Sequence, residues 1–335
     1  MKPAFLITID TEGDNLWSNA SHATTKNAGF LPRFQSLCEA HGLRPTYLTN
    51  YEMAGAPVFQ EFMRDALARG VAEVGMHLHA WDSPPILPLT ADDMEYHPHL
   101  IEYSDQVMRE KIHVMTDILE DTFGVKMLTH RAGRWSFDHR YAHMLVAEGY
   151  QTDCSVTPKV SWRSSVGDPS RTGGSDYRNF PDYAYWLDSR DISLAGDMPL
   201  LEVPMTILSR EPAWVTHTNR LIDESPPVLR NSLSPIQRVL RRSFPPAVWL
   251  RPDGRNLSNL LQVVAQSLSE NRLYAEFMLH SSELMPGGSP AFKTEADIEN
   301  LYAHLETLFA YVRDSFVGMT MAEFHDKQVQ WKRTS

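Results

Sequence analysis

The chain has 335 residues, and 31 Lys plus Arg stand against 42 Asp plus Glu, a formal net charge of −11. That balance argues against nucleic-acid binding, which rests on Lys and Arg neutralising phosphates. Mean hydropathy is −0.34, and no run approaches the roughly 18 apolar residues of a membrane span. Residues 4–9 are apolar and β-branched, a buried strand that begins almost at once and leaves no room for a secretion signal. The chain is therefore expected in the cytoplasm. Helix 29–40 follows, with Cys38 on its apolar stripe beside Phe30, Leu31, Phe34 and Leu37. With only Cys154 as a second thiol, no disulfide framework is expected. The pattern then predicts strand 45–49, helix 58–68 stopped by Arg69-Gly70, strand 73–79 and a long helix 101–123 closed by Gly124. Strand 126–130, helix 138–148 ended by Gly149 and strand 151–154 continue the alternation. After a break come helix 256–269, strand 273–279 and a long helix marked by Ile298, Leu301, Leu305, Leu308, Phe309, Val312 and Phe316. This βαβα rhythm implies a parallel sheet or barrel. Trp331-Lys332-Arg333 reads as a frayed tail.

The break, 159–255, holds 11 of the 22 prolines and 4 of the 8 tryptophans, so helices there should be few and short. A structureless loop of that size does not suit a compact domain. An ordered insertion with strands of its own around 200–208 is predicted, capping a barrel made of 1–158 plus 256–325. Trp162, Trp186, Trp214 and Trp249 are candidates for stacking on sugar faces or for ordinary packing, and Arg238, Arg241 and Arg242 for an anion or a solvated helix face. The stretch contains 13 Lys plus Arg and 11 Asp plus Glu, a net of +2, so the acidity belongs to the barrel.

Polar clusters fall where strands should end, the position at which α/β folds place active sites. In Asp10-Thr11-Glu12-Gly13-Asp14, side chains at i and i+2 on an extended backbone face the same way. Asp10 and Glu12 can therefore meet at one site, one as base and one as metal ligand. His77-Leu78-His79 points two imidazoles to one side, spaced to share one divalent ion. In Thr129-His130-Arg131-Ala132-Gly133-Arg134-Trp135-Ser136, an Arg can pair with a carboxylate and hold it ionised. His280-Ser281-Ser282-Glu283 closes the late strand.

Taken in order, these motifs resemble those of the NodB-homology polysaccharide deacetylases, the carbohydrate esterase family 4 group, over most of the chain outside 159–255 and closest to a WalW-like branch. The resemblance implies an α/β fold, a distorted (β/α) barrel. It implies Asp10 as catalytic base, Arg131 orienting that base and His280 as general acid. The family's metal-binding Asp would follow the base directly; here that position is Thr11, so the role passes to Glu12, with Asp14 as competitor. The family's two histidines usually stand four apart, but the fourth position after His77 is Trp81, so the pair must be His77 and His79. Trp135 matches the aromatic neighbour at the groove wall. Trp81, Arg134, Trp135 and Asp153 make up the substrate-binding candidates, Asp153 from a fourth motif near the base.

The implied activity is metal-assisted hydrolysis of an N-acyl (acetyl) or O-acyl group on a sugar in a polysaccharide or its precursor. It would use one divalent ion, zinc first, with manganese, cobalt or nickel as alternatives. A deformylase or amidohydrolase of the same fold, acting on a lipid-linked aminosugar or a small ureide, would use the same constellation. A metal-free carbohydrate-binding protein is the non-catalytic alternative. A paired-carboxylate glycosidase would leave His77, His79 and His280 without a role.

Overall fold

In a computed structural model, residues 2–14, 23–165 and 174–334 are described. The alternation expected from the sequence is present. In chain order the elements are β1 (Ala4–Thr11), α1 (Leu31–Ala40), β2 (Thr46–Thr49), α2 (Tyr51–Ala54), α3 (Pro57–Ala68), β3 (Glu73–Leu78), α4 (Asp93–Tyr96) and α5 (Asp105–Phe123). Next come β4 (Thr129–Ala132), α6 (His139–Ala147), β5 (Thr152–Asp153), β6 (Tyr185–Trp186), β7 (Leu201–Glu202) and β8 (Ile207–Leu208). The chain ends with α7 (Ala213–Glu224), α8 (Pro227–Ser243), β9 (Val248–Trp249), α9 (Leu257–Ser269), β10 (Tyr274–His280), α10 (Glu295–Arg313), β11 (Val317–Met319) and α11 (Met321–Thr334). Local chemistry sets the helix ends: Ser104 and Asp138 accept from backbone N–H groups in the first turns of α5 and α6, and Gly124 ends α5 at φ 68°.

The sheet runs β10-β1-β2-β3-β4-β5-β7-β6, with β11 also pairing β1. All pairings are parallel except β6–β7. It curls into a half-barrel, the distorted α/β barrel anticipated. Across the remaining gap the segment 204–206 is held against β10 by single contacts: Tyr274 Oη donates to Pro204 O (2.7 Å) and Glu276 N to Thr206 Oγ1 (2.8 Å). Phe5, Ile7 and Ile9 of β1 face the helices. The alternate positions point into the barrel. Ala4 and Leu6 join a buried plug with Leu48, Cys154, Leu201, Val203, Tyr274, Met321 and Phe324, and above it the inward positions turn polar: Thr8, Asp10, Glu12. Both cysteines are buried and free, as core residues. No helix among the described residues is long and apolar enough to cross a membrane.

Two expectations fail. The stretch 159–255 contains two full helices, α7 of 12 residues and α8 of 17. The prolines that argued against them stand at helix starts: Pro212 and Pro226 precede the first turns and Pro227 opens α8. There the missing N–H costs nothing. Among the described prolines of this stretch, only Pro235 lies in a helix interior. The same stretch also extends the main sheet, since β7 pairs with β5 and β6 with β7. The second correction concerns the tail. Trp331, Lys332 and Arg333 belong to α11, and Lys332 Nζ lies 4.8 Å from the Trp186 ring centroid.

Candidate metal centre and active site

The carboxyl ends of β1, β3, β4 and β10 surround a cavity of about 300 Å³, lined by Asp10, Glu12, His77, His79, Trp81, His99, Ala132, Arg134, Trp135, Trp162, Ser165, Arg251 and His280. Pairing register brings the motifs together. Asp10 lies opposite His280 across β1–β10, and His77 opposite Arg131 across β3–β4.

Glu12, His77 and His79 converge, with one ligand atom from each within 4.8 Å of the others. Glu12 Oε2 is 3.6 Å from His77 Nε2 and 3.3 Å from His79 Nε2, and the two Nε2 atoms are 3.0 Å apart. His77 Nδ1 donates to Arg131 O (3.0 Å), which leaves the Nε2 lone pair directed at the common point. His79 Nδ1 has no hydrogen-bond partner among the described residues and looks toward Asp82 Oδ2 at 3.7 Å. Two imidazole nitrogens and a carboxylate oxygen, all buried and aimed at one point, suit a divalent ion. Burial raises the Glu12 carboxyl, but His280, His77 and His79 together bring it well below the ordinary range. Burial also depresses His79, yet Asp82 and Glu12 outweigh it and lift the imidazole to about 10.

The backbone of Glu12 is pinned from both sides. Its N–H donates to Ser281 Oγ (3.1 Å), and its carbonyl accepts from Ser281 Oγ (3.0 Å) and Asn27 Nδ2 (2.8 Å). Asp14 does other work: it accepts from Lys26 N (2.6 Å), Asn27 N (3.2 Å) and Thr24 Oγ1, so its carboxylate orders the loop after β1.

Beneath the cavity Arg131 is fully buried, and each of its nitrogens has a partner. Nη1 donates to Asp10 Oδ1 (2.7 Å), Nη2 to Thr8 Oγ1 (2.9 Å) and to Glu276, and Nε to Cys154 O (3.0 Å). Thr8 passes the contact on, donating to Glu276 Oε1 (2.8 Å). Burial alone would raise Asp10, but Arg131, with His77 and His280, holds it below the usual carboxylate value. Glu276 stays at about 7, because burial outweighs the attraction of Arg131. His280 Nε2 is 3.7 Å from both Asp10 Oδ2 and Glu12 Oε1. On its other side Arg251 Nη2 lies 2.9 Å from Nδ1 and 3.0 Å from Glu283 Oε1, while the His280 N–H donates to Glu283 Oε2 (2.8 Å).

The wall is aromatic. Trp81 stacks on His79 with centroids 4.4 Å apart, and the Arg134 guanidinium lies 5.3 Å from the Trp81 ring centroid. Trp135 lies parallel to Trp162 at 6.4 Å and edge-on to Trp249 at 6.0 Å. The turn that presents Arg134 and Trp135 needs Gly133: a Cβ there would stand 2.4 Å from Leu78 O and 2.6 Å from His79 Cδ2. Arg134 and Trp135 themselves adopt φ of 56° and 58°, the left-handed region that non-glycine residues rarely occupy.

Asp10, Glu12, His77, His79, Trp81, Arg134, Trp135 and His280 thus share one cavity, with Arg131 just below. Asp153 does not join them. It is fully buried, paired with His130 Nδ1 (2.6 Å), and accepts from Ser155 N (3.0 Å) and Ser155 Oγ (2.9 Å). Ser155 Oγ in turn accepts from Ala132 N (2.8 Å). Asp153 therefore fixes the end of β4 and offers no surface to a substrate, which corrects its expected role. Of the other tryptophans, Trp186 packs on His325 and Trp214 sits exposed beside Phe244, and neither lines the cavity; nor do Arg238 or Arg242. Sequence reasoning missed Arg251, His99, Glu276 and Asp82. Only Glu276 left a trace, a lone carboxylate in the apolar run before His280 and on its face by the strand period.

No protein-family model and no curated protein matches the sequence. Solved structures do. A chain from Mycobacterium smegmatis described as a polysaccharide deacetylase is 14% identical, with a TM-score of 0.54, covering 99% of this chain and 95% of its own. A glycoside hydrolase/deacetylase from Parabacteroides distasonis is 8% identical with a TM-score of 0.60, covering 97% and 71%. A 4-alpha-glucanotransferase from Thermococcus litoralis is 13% identical with a TM-score of 0.50, covering 98% and 41%. At these identities the likeness speaks for architecture, and the chain has the fold of the NodB-homology polysaccharide deacetylases.

Proposed function

We propose that this protein is a metal-dependent hydrolase that removes an acyl group, acetyl first, from a sugar in a polysaccharide or its precursor. The observation that carries the reading is the convergence of Glu12, His77 and His79 beside an Arg131-held Asp10 and His280. A divalent ion held by those three side chains, with zinc the first choice, would polarise the acyl carbonyl and lower the pKa of water toward about 7.

Asp10 is the base. Arg131 takes one of its oxygens at 2.7 Å, which keeps the carboxylate ionised and leaves Oδ2 to receive a proton from the attacking water. His280 is the acid. A guanidinium only donates, so Arg251 makes Nδ1 of His280 an acceptor and places the ring proton on Nε2, which looks toward Asp10 and Glu12. That proton goes to the leaving amine or alkoxide. The strained turn 133–135 lies beside the same space, and its backbone N–H groups supply donors for the developing oxyanion. Trp81, Trp135 and Trp162 offer flat apolar faces to a sugar ring.

The test is acetate release from N-acetylated oligosaccharides and O-acetylated xylan by protein loaded with zinc, manganese, cobalt or nickel. Release that needs the ion and disappears in D10N, with the ion still bound, supports the reading. Absence of release with every ion and substrate contradicts it.

A further inference from the structure

One side of the cavity carries two groups that the hydrolysis leaves without a task. His99 is 1% exposed and lines the cavity, and neither ring nitrogen has a hydrogen-bond partner among the described residues. Such a ring has given up its hydration without a replacement, a cost that a ligand's polar group offsets. Burial and the neighbouring charge of Arg134 push His99 down to about 4, so it is neutral and offers one donor and one acceptor.

Arg134 is the second group. The other guanidinium groups at this site are spoken for, Arg131 by Asp10 and Glu276, Arg251 by Glu283. Arg134 has no ion pair or hydrogen bond among the described residues; it lies over the Trp81 ring, which in turn stacks on His79. Its left-handed backbone conformation is costly for a side chain of any size. That conformation sets the exposed Arg134 side chain at the cavity rim, over the Trp81 ring. The arrangement suits an oxyanion, which a guanidinium recognises with paired N–H donors.

We propose that the sugar this cavity accepts carries an anionic substituent, a carboxylate or a phosphoryl group, which Arg134 pairs with while His99 hydrogen-bonds to it or to the adjacent hydroxyl. This rests on the hydrolase reading above and names its substrate class. A cavity of about 300 Å³ is at the small end of ligand sites, so the charged group belongs to the same sugar unit as the acyl group or to its immediate neighbour.

The experiment measures binding by calorimetry at fixed low ionic strength, using metal-free protein so that nothing turns over. The probes are N-acetylglucosamine, N-acetylmuramic acid and N-acetylglucosamine 6-phosphate. The anionic probes should bind at least about tenfold tighter than the neutral one, an advantage that shrinks as salt screens the charge. In R134Q the advantage of the anionic probes over the neutral sugar should vanish. R134K should retain part of it, and H99A should weaken the anionic probes without reversing the order. A tighter carboxylate arm assigns a sugar acid and a tighter phosphate arm a phosphorylated sugar. Equal binding of neutral and anionic probes overturns the anion subsite and leaves the hydrolase reading standing. Failure of all three to bind also overturns the anion subsite, while the hydrolase reading is judged separately by metal-dependent acetate release.

Discussion

Two polar layers stand one above the other inside the same half-barrel, and they are built for opposite purposes. The lower layer, Arg131 with Thr8, Glu276 and Asp10, is buried and knit together by side-chain hydrogen bonds, with every guanidinium nitrogen engaged. The upper layer, Glu12, His77, His79 and His280, is buried yet leaves nitrogens and oxygens aimed at open space. Both arise from the two-residue period of β1 and β10: Thr8 and Glu276 belong below, Asp10 and His280 above. Only Asp10 belongs to both. The comparison teaches that the lower network fixes Asp10, while the upper one leaves ligand atoms directed at a common point.

Breaking the lower layer should have the largest effect. Arg131→Met leaves Asp10 and Glu276 buried without their counter-charge, and a broken buried pair costs roughly 3–5 kcal/mol; denaturant unfolding of the metal-free protein should show a loss of that size. Breaking the upper layer should spare the fold and remove function. His77→Ala or His79→Ala should strip the ion, read by metal analysis, with the unfolding midpoint of the metal-free protein little changed. His280→Ala should leave the ion in place and lower turnover by roughly 10²–10⁴-fold, the usual worth of a positioned acid. Loss of the ion in that variant would move His280 into the ligand shell.

Smaller effects sharpen the picture. Asp82 looks at His79 Nδ1 from 3.7 Å, as outer carboxylates do in metal sites, so Asp82→Asn should weaken metal affinity by roughly 10–100-fold. His79 is lifted to about 10 in the metal-free protein, so it is protonated at pH 7 and must give up that proton to bind an ion. Apparent metal affinity should then rise by about tenfold per pH unit from 7 until near 10, followed in non-coordinating buffers.

The upper layer was largely legible in the sequence, and the lower one was not. Asp10 with Glu12 and His77 with His79 are each two residues apart at a strand end, so geometry local to one strand brings each pair together. Arg131 could be read as a partner for a carboxylate, but its second partner, Glu276, lies 145 positions away and meets it only through the sheet order. Arg251 and His99 come from loops whose direction depends on tertiary packing, and nothing periodic marks them. The helices of 159–255 are hidden in the sequence because prolines read as breakers, although Pro212, Pro226 and Pro227 stand where a helix begins. For Asp153 a motif gives only chain position, while depth in the barrel places it in the core beside His130 and away from the cavity.

Titration of the metal-free protein with zinc, with stoichiometry and affinity read by calorimetry, tests the central claim most directly. The geometry predicts one equivalent bound tightly by the wild type, lost in Glu12→Gln and in His79→Ala, and kept in Asp14→Asn. Absence of tight binding by the wild type, or binding that survives Glu12→Gln and disappears in Asp14→Asn, would contradict the assignment of Glu12, His77 and His79 as a metal centre.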